Sequence, residues 1–295
     1  MTTIWLTVSV GFVALRMLPG DAIETQLLQS GASPAVIEQR KSEQGLNDPL
    51  LFQYGRYLTN LITGNLGYSL VSGLSVTDTI SSRWLPSATL ALAAIIIAAI
   101  AGIGIGVFTA TNPYNHLTKL ADVFIILSLS IPIYWSATLA LIVFAGTFPL
   151  FTTSGASSIN QYVLPAAILG LHSAGSIAFV VRMNIREIMT SDFVRTAYAK
   201  GLPRLVILRR HILRPALPPT IAVVFLQFSF LLSGTVIIES LFVRPGLGTL
   251  LLNSTLQHDY PMVQGVAVFI ILIYTSLNLI ADLLIRIVDP RVSLT

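Results

Sequence analysis

The chain has 295 residues, 54% of them apolar and only 10% charged, with a mean hydropathy of +0.79. Soluble domains carry roughly a quarter charged residues, so a water-soluble core is excluded. The net charge of +4 does not mark a nucleic-acid binder, because the positive charge is concentrated in one segment between apolar stretches. With no cysteine in the chain, disulfides and thiolate metal sites are excluded as well.

A helix needs about 20 apolar residues to cross the hydrocarbon core, where its backbone must satisfy its own hydrogen bonds. Six stretches predict an all-α membrane protein of about six transmembrane helices: Thr2–Leu18, Ser87–Ala110, Leu120–Phe144, Val163–Val181, Ile221–Leu241 and Val263–Ile287. The first is short. It lacks the basic start and small-residue cleavage site of a signal peptide, so it reads as a retained helix. The chain then divides into residues 1–18, a first span; 19–86, an external helical segment; and 87–295, a five-helix core.

The segment 19–86 has its own helix signals. Ser33-Pro34 and Asp48-Pro49 each pair an N-cap residue with a first-turn proline. Leu51, Tyr54, Leu58, Leu61 and Ile62 then fall on one helical face, and Gly64 can close that helix. Two or three short amphipathic helices are expected. They either pack on the membrane domain or dock a soluble partner, and the residues leave both open.

Gly102 and Gly106 sit inside the second stretch at a spacing that favours close helix contact over nucleotide binding. Pro132 is expected to kink the third span, and a kink can serve a gate. Asp122 and Lys119 read as interfacial. Between the fourth and fifth spans lie Arg182, Arg186, Arg195, Lys200, Arg204, Arg209, Arg210 and Arg214, eight of the seventeen Lys and Arg. The positive-inside rule makes this loop, about 182–219, cytoplasmic. Both termini are then cytoplasmic too. Inside the loop, Asp192 can cap a short helix, Ala197, Ala199 and Gly201 are small, and Pro203 interrupts the chain. Such a helix can lie in a groove on another protein. The same residues can also be an ordinary positive-inside loop.

Glu239, near the outer end of the fifth span, is a candidate for the pathway or outer gate, because intramembrane charges are costly and often functional. Asp282 and Arg286, four apart, suit an ion pair. The four histidines are dispersed and predict no metal site. There is no phosphate-binding Gly-x-x-x-x-Gly-Lys-Ser/Thr loop and no hydrolase motif in the sequence. The chain is not expected to be an enzyme.

Residues 192–215 resemble the cytoplasmic loop of ABC-importer permeases. They follow the oligopeptide/dipeptide/nickel variant, which runs Arg-Thr-Ala-x-Ala-Lys-Gly-Leu and then Arg-His-x-Leu-Arg. The similarity extends over nearly the whole chain. Leu18-Pro19-Gly20-Asp21, Gln53-Tyr54-Gly55-Arg56-Tyr57, Gly64-Asn65-Leu66-Gly67, Leu85-Pro86-Ser87, Ser130-Ile131-Pro132, Glu239-Ser240-Leu241-Phe242, Pro245-Gly246-Leu247-Gly248, Asp259-Tyr260-Pro261 and Asp289-Pro290-Arg291 follow in order. The resemblance implies a type I importer permease in the bacterial inner membrane. Its implied partners are a homologous second permease, two ATP-binding subunits and an external substrate-binding protein. It places Arg195, Ala197, Ala199, Lys200, Gly201 and Leu202 in or beside a coupling helix. It implies alternating access driven by the partner ATPases, which would hold ATP and Mg, with no cofactor in this chain. Cargo in this group includes dipeptides, oligopeptides and nickel chelates. The alternative is a secondary transporter driven by an ion gradient, which would show inverted repeats.

Overall fold

The computed structural model describes residues 2–17, 33–43, 47–147 and 160–288. The motifs at 18–21 and 289–291 lie outside the described residues. Twelve helices account for almost all of the described chain: α1 (Thr2–Met17), α2 (Pro34–Glu43), α3 (Leu50–Ile62), α4 (Val76–Thr111), α5 (His116–Ser130), α6 (Ile133–Leu141), α7 (Asn160–Met189), α8 (Asp192–Ala199), α9 (Arg204–Val206), α10 (Arg214–Leu241), α11 (Leu247–Leu256) and α12 (Tyr260–Val288). The described β structure is one bridge, Tyr68 to Ser75.

Four helical runs are long and apolar enough to cross a membrane: Val76–Thr111, Gln161–Met189, Arg204–Leu232 and Tyr260–Val288. Taken together, α5 and α6, which are bent by 105°, are long and apolar enough for a fifth span with a break in it. The sixth stretch is α1, whose 16 residues reach roughly 24 Å, a little short of the ~30 Å core. The third span therefore differs from the expectation. Pro132 does not kink one helix but stands in extended conformation (φ −59°, ψ 139°) as the N-cap of α6, and Ile131 caps α5. Proline disfavours helical geometry in the residue before it and supplies no N–H of its own, so Ser130–Pro132 become a break.

The described residues form two compact units. One holds the residues up to Pro86 together with Pro245–Ile273. In it α1 meets α3 through Phe12, whose ring lies 5.4 Å from Tyr54 and 5.3 Å from Tyr57. Burial raises the pKa of the Tyr57 phenol, and neighbouring Tyr54 adds to the effect. Asp48 does not cap α3; it pairs with Arg56 at 2.7 Å, and Pro49 is the N-cap. A small core of Val76, Ile80, Leu247, Met262 and Val266 holds the rest. Buried Asp259 ties the loop after α3 to this core by accepting from Ser69 Oγ at 2.5 Å and Leu70 N at 3.1 Å.

The other unit holds Ser87–Arg244 and the described residues from Tyr274. Here α7 is central, packing against α5, α6 and α10. The approach of α4 to α7 depends on glycine. A Cβ on Gly102 would lie 2.8 Å from the Ala174 carbonyl, one on Gly106 2.9 Å from the Ala178 carbonyl, and one on Gly170 2.8 Å from the Ala94 carbonyl. Gly104 would meet nothing within 4 Å. Close backbone contact of this kind compensates for the weak hydrophobic drive between helices in lipid.

Candidate functional site

Most of the basic segment is helical, with turns at 190–191 and 200–203. Arg182 and Arg186 belong to α7, Arg195 to α8, Arg204 to α9, and Arg209 and Arg210 to a π-helical stretch, Ile207–Leu213, that leads into α10. Pro215, Pro218 and Pro219 withhold backbone donors just past this junction, and a wider π turn accommodates the mismatch. Two of the cations are interhelical ties. Arg182, only 14% exposed in its side chain, pairs with Asp122 of α5, and Arg186 donates to the Thr109 carbonyl at 3.2 Å. Asp122 is thus a partner inside the unit, not only an interfacial charge. Nothing in the sequence links two residues 60 apart.

Helix α8 has two unlike faces. Val194 and Ala197 are buried in the same core as Ile185, Ile207 and Ile212. On the other side Phe193, Arg195, Tyr198, Ala199, Lys200, Gly201 and Leu202 are exposed, followed by Leu205 at 64%. Of the residues expected in the coupling helix, Ala197 alone faces inward, so its small size lets α8 lie close on its own bundle. Ser191, not Asp192, is the N-cap. Asp192 sits in the first turn, where a carboxylate complements the helix dipole, and lies 3.7 Å from Arg195 in a fully solvated pair, which contributes little.

Gly201 ends α8. Its φ is +72°. Leu202 N donates to the Ala197 carbonyl at 3.4 Å and Gly201 N to the Tyr198 carbonyl at 3.0 Å, the paired bonds of a Schellman cap. The glycine is required by this left-handed position, and a Cβ there would meet nothing within 4 Å. The result is a short amphipathic helix with a sharp end and an exposed face of aromatic, aliphatic and cationic side chains.

The opposite end of α10 is built differently. Glu239 is 1% exposed and accepts a hydrogen bond from Ser87 Oγ of α4. The helix closes with a second Schellman pattern, Arg244 N to the Glu239 carbonyl at 2.8 Å and Val243 N to the Ser240 carbonyl at 3.3 Å. The left-handed residue here is Val243, at φ +50°. A β-branched residue is strained there. Arg244 is buried; its Nη1 donates to the Gln161 carbonyl at 2.9 Å, and its guanidinium lies 3.7 Å from the centre of the Tyr162 ring. Glu239 is therefore part of a closed polar knot. The sequence marks Glu239 itself but gives no signal for Ser87 or Arg244 as knot members.

No group of three or more potential metal ligands occurs among the described residues. Asp282 and Arg286, expected to pair, make no ion pair within 4.0 Å among the described residues.

The family model described as the inner membrane component of binding-protein-dependent transport systems matches residues 102–294. A Brucella abortus (strain 2308) protein that bears the name of a peptide transport system permease is 34% identical over 289 residues, covering 95% of this chain and 92% of that protein. The glutathione transport system permease protein GsiC of Escherichia coli (strain K12) is 31% identical over 290 residues, covering 98% and 94%. Among solved structures, the MetNI methionine ABC transporter in an inward-facing form matches with a TM-score of 0.57 at 18% identity, over 71% of this chain and 96% of that one. An amino acid ABC transporter chain matches at 0.54 and 16%, over 73% and 95%. These two likenesses speak for the fold. The helical architecture, the length of the family match and the full-length relatives agree: the chain belongs to the inner-membrane components of binding-protein-dependent transport systems, multi-pass transport proteins rather than enzymes.

Proposed function

We propose that this chain is one of two permease subunits of an ATP-binding-cassette importer, and that it carries peptides or a related small solute. It lines the pathway together with a homologous second permease. Two ATPase subunits, holding ATP and Mg, seat α8 in their grooves, and an external binding protein delivers the cargo. Relatives named for peptide and glutathione transport support the peptide class. Nickel has no comparable support. Membership in a binding-protein-dependent family favours this reading over an ion-gradient carrier. The arginine-rich segment between the fourth and fifth spans is cytoplasmic by the positive-inside rule, and six crossings leave both termini on that side. The short helices α2 and α3 are external by the same count.

The observation that carries the reading is the exposed face of α8. Phe193 and Tyr198 stand out from a helix whose buried side is already filled, and Leu205 of α9 is exposed just beyond its cap. Helix-in-groove docking uses such a face, and Arg195, Lys200 and Arg204 can meet acidic groups around a groove. ATP-driven closure of the partners would move α8, and α8 would transmit that movement to the spans because Val194 and Ala197 are embedded in their core. The drive requires that the ATPases favour one permease arrangement over another.

The test is a pair of substitutions in the assembled transporter, Ala199→Glu and Gly201→Glu, with uptake and ATP hydrolysis measured together. Ala199 is exposed in ordinary helical geometry, so its variant isolates the docking effect from cap strain. Uptake should be lost while the chain reaches the membrane in normal amount. Normal uptake by Ala199→Glu would refute the assignment of α8.

A further inference from the structure

Read as one crossing that starts at the membrane surface, α5 and α6 put the non-helical backbone of their break at membrane depth. The 15 residues of α5 span roughly 22 Å, so Ser130–Pro132 fall within a hydrocarbon layer about 30 Å thick. These residues are exposed on the surface of this chain. The carbonyls of Ser128, Leu129, Ser130 and Ile131 accept no backbone hydrogen bond among the described residues. Lipid cannot satisfy them. Irregular backbone at this depth is tolerated only where protein buries it or water reaches it.

Beside the break lies a cavity of about 530 Å³, within the size range of small-ligand pockets. Its wall is mostly aliphatic and aromatic, including Phe124, Phe144 and Leu171, but Ser128, Ser136 and His172 also line it. None of these three side chains hydrogen-bonds to another described residue. An apolar wall with a few converging polar groups is the chemistry of a ligand site, and these polar groups would be unfavourable on a lipid-facing surface.

We propose that this cavity is a subsite on the hydrated side of the permease and takes an apolar side chain of a transported peptide. His172, Ser128 and Ser136 hydrogen-bond the peptide main chain, and the free carbonyls of the break accept from its amides or from water. This rests on the peptide-importer reading above. The break thereby acquires a purpose: it turns acceptors outward where the cargo passes, and the greasy wall beside them discriminates by size.

The natural absence of cysteine makes the test direct, because a single introduced cysteine is the chain's only thiol. In the assembled transporter, peptide uptake by the wild type comes first; its absence overturns the cargo class and with it the peptide subsite. Ser136→Cys is then exposed to a charged, membrane-impermeant thiol reagent, with Ile100→Cys in the uninterrupted apolar helix α4 for comparison. The hydrated cavity should react about tenfold faster than Ile100→Cys, and a peptide with bulky apolar side chains should slow the reaction. Ser136→Phe, which fills the cavity, should raise the KM for that peptide about ten- to a hundredfold, with little change for a glycine-rich one. An unreactive Ser136→Cys would mean lipid or the second permease covers the face, and overturns the subsite while leaving the peptide reading intact. Reaction without protection, in a transporter that carries peptides, overturns the subsite as well.

Discussion

The C-terminal ends of α8 and α10 solve the same local problem in opposite ways. Both α8, just before α10, and α10 itself finish in a Schellman cap with a left-handed residue. At the arginine-rich end that residue is Gly201, which adopts φ +72° without strain, and the residues around it are exposed. At the other end it is Val243, at φ +50° and 87% exposed, followed by a buried arginine. The valine is held in place from outside the turn, because Arg244 is anchored to Gln161 and Tyr162 and Glu239 is anchored to Ser87. An end whose turn is free of strain and whose charges are solvated has few bonds of its own to break. An end whose charged groups are buried and hydrogen-bonded must break bonds before it can move.

Breaking the buried anchor should have the largest effect. Arg244→Ala removes a desolvated cation–π contact and a charged hydrogen bond, a loss of about 3 kcal/mol. Arg195→Ala at the exposed end should change stability by no more than about 0.5 kcal/mol. Thermal unfolding of the two purified variants in detergent checks the contrast, and equal shifts would remove it. Next in size, Ser87→Ala takes a donor from buried Glu239 and should cost about 1–3 kcal/mol by the same measurement. The smallest effects carry opposite signs. Val243→Gly should stabilise by about 1 kcal/mol through relief of left-handed strain, while Gly201→Ala should destabilise by about the same amount. If both glycine-to-larger and valine-to-glycine changes moved stability the same way, the two caps would not differ as their φ angles require.

Much of the architecture is legible in single residues. The glycine spacing in α4 points to close helix contact, and the structure adds that Gly102 and Gly106 make it while Gly104 does not. Ser33-Pro34 and Gly64 mark helix ends in the segment before α4. Pro132 marks a disturbance, but its size could not be read: a kink and a 105° break share the same proline. The contrast within α8 was equally hidden. Ala197 and Ala199 look alike in sequence, yet one packs inward and the other faces out, because two residues along a helix rotate the side chain by roughly 200°. Asp122 read as an interfacial charge because its partner Arg182 is 60 residues away.

By itself the sequence determined that the chain lives in lipid, about where it crosses, which segment carries the positive charge and where the short basic helix turns. Those properties follow from hydropathy and backbone chemistry that act over a few residues. Only the tertiary structure decided that Glu239 meets Ser87 across 152 residues, that Arg182 meets Asp122, and that the α5–α6 break opens beside a cavity whose three polar side chains hydrogen-bond no other described residue. Such pairings depend on which helix faces come together. That choice is made by close packing of side chains and backbones, and it leaves no periodic trace in either partner alone.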